Sequence, residues 1–98
     1  MLTVIRGGGD IASGIALRLW RSGIRVVLCE VERPTAIRRT VAFSECVARG
    51  ETRVEDVTAR RAAGPVEALA LLEEGVIPVL VDPEGDCIPV LKPDAVVD

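Results

Sequence analysis

Three glycines and two acids set the chemical question in this chain. Gly7, Gly8 and Gly9 lead into Asp10, Ile11 and Ala12, so that Gly7, Gly9 and Ala12 fit the form G-x-G-x-x-[G/A], and Glu30 follows at the usual distance for a ribose-binding acid. In such a turn the first glycine permits the bend, the second lets a pyrophosphate approach the backbone, and a small third residue lets helix and strand pack closely. Unpaired N–H groups at the start of the following helix offer the phosphate hydrogen bonds and partial positive charge. A carboxylate at Glu30 favours a free 2′-hydroxyl over a 2′-phosphate, and nearby Arg33 softens that preference. Asp10 opposes the phosphate reading. Its carboxylate at the helix start can satisfy the same N–H groups and repel an anion, so Gly7 to Gly9 also read as a plain tight turn capped by Asp10. Glu30 has its own alternative as a solvated acid at a strand end.

Arg38 and Arg39 mark a second basic point near the same crevice. Arg38 belongs to the solvent face of its predicted helix; Arg39, on the flank, is the better anion ligand. Arg60 and Arg61 read as an exposed strand end. Bond-making machinery is not assembled: the chain has no histidine, no tyrosine and no G-x-S-x-G, and no cysteine has a base beside it, so no catalytic residue is assigned. Cys29, Cys46 and Cys87 are odd in number and widely spaced, without a C-x-x-C pair. They read as small hydrophobes in a reducing compartment, with neither a disulfide framework nor a zinc site expected. Asp10, Glu30, Asp56, Asp82 and Asp86 have the chemistry to hold a hard cation, but their spacing does not gather them, and no metal site is assigned.

The elements that must position these residues alternate along the chain. Leu2 to Ile5 is an apolar run, and residues 25–29 are a second, continuous one of the kind a parallel sheet covers on both faces. Between them, at 100° per residue, Ile11, Ala12, Ile15, Ala16, Leu19 and Trp20 share one helical half, Asp10, Gly14, Arg18 and Arg21 the other, and Leu17 stands as the exception. Gly23 stops that helix. A second helix is predicted over residues 35–48, opened by Pro34-Thr35 and ended by Gly50. Glu51 to Arg61 alternates in two pieces whose phase slips at Glu55-Asp56, predicting two short strands or one bulged strand. Gly64-Pro65 starts a short helix to Glu74, with Ala68, Leu69, Leu71 and Leu72 on its buried face. Val76 to Val81 is an apolar strand that Pro78 pushes toward an edge or a strand start. After a turn at residues 82–86, Cys87 to Leu91 and Ala95 to Val97 read as short strands. This order predicts an α/β, Rossmann-like, three-layer domain with a mainly parallel sheet and β-rich C-terminal turns.

At 98 residues and 49% apolar, the chain is expected to form one domain that buries roughly 60 to 70% of its unfolded surface. A doubly wound dinucleotide fold normally has two halves, and there is room here for about one, so the chain reads as part of a longer protein or as a half-fold completed by a partner. A homo-oligomer is expected, because half a sheet leaves a bare strand edge. A net charge of −3 and two aromatic residues remove the basic and stacking footprint of nucleic-acid binding. No apolar run approaches the roughly 20 residues needed to span a bilayer, and Met1-Leu2-Thr3-Val4 leads into a strand without a signal-peptide pattern. A cytoplasmic protein is expected.

The run Val4-Ile5-Arg6-Gly7-Gly8-Gly9-Asp10-Ile11-Ala12-Ser13-Gly14, with Pro34-Thr35-Ala36-Ile37-Arg38-Arg39-Thr40-Val41-Ala42-Phe43-Ser44-Glu45 and Val57-Thr58-Ala59-Arg60, resembles the N-terminal part of the selenium-dependent molybdenum hydroxylase accessory proteins. More distantly, it is similar to the Rossmann domain of the xanthine dehydrogenase accessory factors. The resemblance covers essentially the whole chain. It implies a cytoplasmic maturation role, with a molybdenum hydroxylase as client partner and the molybdenum cofactor, in its dinucleotide form, as the group handled. Chains of that family continue well past Asp98. Two other readings stay open: the N-terminal half of an NAD-dependent oxidoreductase, supported by the same glycine turn and Glu30 but lacking a proton-transfer residue, and a scaffold domain whose turn Asp10 occupies.

Overall fold

The computed structural model describes residues 1–7, 10–30, 50–82 and 85–97. Gly8, Gly9, Arg33, Arg38, Arg39 and Cys46, together with the helix expected over residues 35–48, lie outside the described residues. Within them the order is β1 (Leu2–Arg6), α1 (Asp10–Arg21), β2 (Arg25–Glu30), β3 (Glu51–Val54), β4 (Val57–Ala62), α2 (Pro65–Glu73), β5 (Ile77–Val81), α3 (Cys87–Leu91) and β6 (Ala95–Val97). The described residues are thus α/β, with six strands in one mixed sheet, order β3-β4-β5-β2-β1-β6, and three helices. Four of its five pairings are parallel, and only the β3–β4 hairpin is antiparallel.

The apolar strands are buried in two core clusters, each completed by helical residues. Alternate side chains of a strand point to opposite faces, and the burial follows that period. Ile5, Val26, Leu28, Ile77 and Val79 pack with Ala16 and Leu17 of α1 on one face. Val4, Val27, Cys29 and Leu80 pack with Ala68, Leu71 and Leu72 of α2 and Cys87 and Leu91 of α3 on the other. The parallel core strand β2 is therefore buried from Val26 through Glu30. Each of these fully buried aliphatic side chains contributes roughly 1.5 to 3 kcal/mol of transfer free energy.

Several expectations change at this level. Leu17 is buried and Ile15 is 37% exposed, so the inward stripe of α1 is Ser13, Ala16, Leu17 and Trp20, an i, i+3, i+4, i+7 set rotated from the one the wheel suggested. In α2 Leu69 is 42% exposed while Ala68, Leu71 and Leu72 are buried. The phase slip at Glu55-Asp56 is a hairpin turn: Val54 pairs with Val57, and Glu55 takes φ +56°. Pro78 lies in an interior strand, at its start. It faces Arg60 of β4, and the pairing of β5 with β2 begins one residue later, at Val79 with Leu28, so the missing N–H falls before the ladder on that side. The β-rich C-terminal turns are replaced by a helix and a strand, since Cys87–Leu91 is α3 and only Ala95–Val97 is β. Pro89 sits in the first turn of α3, where an N–H would have no intrahelical partner.

Candidate functional site

The parallel strands deliver their carboxyl ends to one rim of the sheet. β1 ends at Arg6 and passes to Gly7, β2 ends at Glu30, and β5 ends at Val81 and passes to Asp82. Backbone hydrogen bonds lace this rim: the Gly7 N–H donates to the Cys29 carbonyl at 2.6 Å, and the Asp82 N–H donates to the Glu30 carbonyl at 2.9 Å. Since Arg6 pairs with Cys29, the first glycine of the turn and the expected ribose acid lie side by side on neighbouring strands.

Gly7 takes φ +107° with nothing within 4 Å of a Cβ built on it. Glycine is required there by the dihedral and not by crowding. α1 starts at Asp10, so Asp10, Ile11 and Ala12 form its first turn, and Ala12 packs against the core beneath, where a small residue lets the helix approach the sheet. Glu30 is 9% exposed, which removes the reading of a solvated strand-end acid. Of the residues assigned from sequence, the rim thus brings together Gly7, the backbone of Asp10 and Ile11, Ala12 and Glu30. Gly8, Gly9 and Arg39 lie outside the described residues.

Three residues that the sequence reading kept apart meet on the same rim. The Sγ atoms of Cys29 and Cys87 lie 3.2 Å apart in a buried contact, and with a carboxylate oxygen of Asp82 they form a group whose donor atoms are all within 4.8 Å of one another. The two cysteines are therefore in contact in the core and not separate. Cys29 is the penultimate residue of β2 and Cys87 the first of α3. Asp82 joins them because its carboxylate accepts the N–H groups of Asp86 at 2.9 Å and Cys87 at 2.7 Å, which fixes the start of α3 over the rim. Burial pushes both thiols up from the ordinary cysteine range, and the Asp82 carboxylate pushes Cys87 further. The positive charge of Arg6 acts on Cys29 in the opposite sense. An open pocket of about 170 Å³ reaches the Asp82 and Cys87 side of this group and is lined also by Ala63, Gly64, Pro65 and Leu80. Spacing alone hid the group, although Cys29 and Asp82 both stand at carboxyl ends of apolar strands, where sites in open α/β sheets collect.

No helix among the described residues is long and apolar enough to cross a membrane. No family model matches the chain, and no solved structure matches it. The chain is 57% identical over 97 residues to YqeB, an uncharacterized protein of Escherichia coli (strain K12), a match that covers 99% of this chain and 18% of YqeB. It thus spans less than a fifth of the length of that curated relative.

Proposed function

We propose that this chain is a Rossmann-like, cytoplasmic module that binds a nucleotide or a molybdopterin dinucleotide in the maturation of a molybdenum hydroxylase. One observation carries the reading: β1 leads through Gly7, at φ +107°, into α1, and the acid Glu30 closes the adjacent parallel strand on the same rim. The strand order adds support. The chain moves from β1 to β2 on one side and returns with β6 on the other, and a reversal beside a strand's carboxyl end is where open α/β sheets take ligands. In this reading Gly7, Gly8 and Gly9 and the N–H groups of Asp10, Ile11 and Ala12 cradle the phosphates, Glu30 takes the ribose hydroxyls and Arg39 supplies a second anion contact. The client hydroxylase and the molybdenum cofactor come from the family resemblance, and the 18% share of YqeB that the chain spans fits a module of a longer protein.

Calorimetric titration with molybdopterin dinucleotides, NAD and ADP tests this. Saturable binding is expected for at least one of them, with Gly9→Val abolishing it while far-ultraviolet circular dichroism stays unchanged, because the added side chain intrudes where the pyrophosphate must approach. Absence of binding to all three, in a protein carrying whatever sequence follows residue 98, transfers the chain to the scaffold reading.

A further inference from the structure

We propose that Cys29, Cys87 and Asp82 form a binding site for a thiophilic d10 cation of the zinc class. The site is separate from the nucleotide reading and stands on its own observations. Two thiols and a carboxylate from three segments, β2, the start of α3 and the residue after β5, converge within 4.8 Å; both cysteines are 3% exposed and Asp82 is half-buried, so the core holds the sulfur pair.

Distance separates a metal pair from a disulfide. Two thiolates on one tetrahedral zinc, each about 2.3 Å from the ion, stand roughly 3.8 Å apart. The 3.2 Å separation here needs to open by only about half an ångström for that geometry. Closing to a disulfide bond of about 2.05 Å takes a movement of about 1.1 Å, and both cysteines are free thiols.

The ligand types agree with a soft or borderline ion: sulfur selects zinc or copper(I) over magnesium or calcium, and a single carboxylate is tolerated beside it. Binding proceeds with loss of one proton from each thiol to solvent, two in all, as the metal–sulfur bonds form. Two thiolates and a carboxylate around a divalent ion leave one net negative charge, and the charges of Arg6 and Glu30 reach Cys29 in opposite senses. The N–H groups of Asp86 and Cys87 orient the carboxylate as outer-shell donors orient metal ligands elsewhere. Three protein ligands leave a fourth position, and the open pocket beside Asp82 and Cys87 supplies room for a water or an incoming ligand atom.

The test is titration of the fully reduced protein with Co²⁺, followed by displacement with Zn²⁺. One equivalent is expected to produce thiolate-to-cobalt charge-transfer absorption that stoichiometric Zn²⁺ removes. Cys29→Ser and Cys87→Ser should each weaken binding at least tenfold, while Cys46→Ser leaves it unchanged. Zinc K-edge X-ray absorption on the unmutated protein reads the same site without dependence on how the variants fold, and two sulfur ligands are expected. No charge-transfer band, an unchanged band in either serine variant at position 29 or 87, or any sulfur count other than two overturns the site.

Discussion

Asp82 holds the start of α3 with both of its carboxylate oxygens, one on the N–H of Asp86 and one on the N–H of Cys87. Burial alone would raise its pKa, but the hydrogen bonds from Cys87, Asp86 and Gly85 outweigh burial and hold it below the usual aspartate value. A carboxyl held low in the folded state contributes stability above its unfolded pKa of about 3.9 and loses that contribution as the pH falls through the lower folded value. Asp82→Ala should therefore cost about 1 to 2 kcal/mol at neutral pH, with the gap to the unmutated protein narrowing once the medium is more acid than the ordinary aspartate range. Urea unfolding at neutral and acid pH measures it; a gap that does not change with pH would show that the charged carboxylate is not what holds α3. The same residue explains what was legible in the sequence. Gly7 and Glu30 could be read because each follows a long apolar strand and their spacing is local to one β-α-β unit. Cys29 and Cys87 lie 58 residues apart, and no local pattern reports a contact that exists only because β5 is inserted beside β2 and Asp82 folds α3 back over it.

At the scale of elements, the apolar strands were readable because a run buried on both faces has no competing pattern. α3 was not. Cys87-Ile88-Pro89-Val90-Leu91 is short, apolar and contains β-branched residues, which locally favour a strand, and the helix is selected instead by an acid five positions upstream and by a left-handed stop at Lys92, φ +49°. The β3–β4 hairpin makes a sharper test. Its two-residue turn places Glu55 at φ +56°, the first central position where glycine is favoured in a hairpin turn of this kind. Glu55→Gly relieves a left-handed strain of about 1 to 2 kcal/mol and gives back part of it in the entropy of the unfolded glycine. It also removes an exposed ion pair with Arg21, which Asp56 continues to hold; such pairs contribute little. A net gain of roughly 0.5 to 1 kcal/mol is expected, read as a higher melting temperature, and a lower one would show that the Arg21 contact outweighs the backbone term.

At the scale of the whole molecule, the two edges that the sheet has among the described residues differ in kind. β3 exposes Glu51 and Arg53, charges of the sort that discourage edge-to-edge pairing. β6 exposes Val96, 46% accessible, and α3 beside it in sequence exposes Val90, 60% accessible. Association of two copies is therefore expected at β6, across a two-fold axis. Sedimentation at micromolar concentration should show a dimer that Val96→Lys converts to monomer, and a well-folded monomer without the substitution would show that three-residue β6 is short enough to leave its edge bare. The place of β6 has a temporal side as well. Thr3, Val4 and Ile5 of β1 pair with Ala95, Val96 and Val97, and the Leu2 N–H donates to the Asp94 carboxylate across 92 residues. β1 leaves the ribosome first yet acquires its second neighbour last. At roughly 5 to 20 residues per second, the first strand waits on the order of 5 to 20 s with one side unpaired. For that interval the nascent chain carries β1 with the edge that β6 will cover still open, so the closing of the sheet is the last step that synthesis permits.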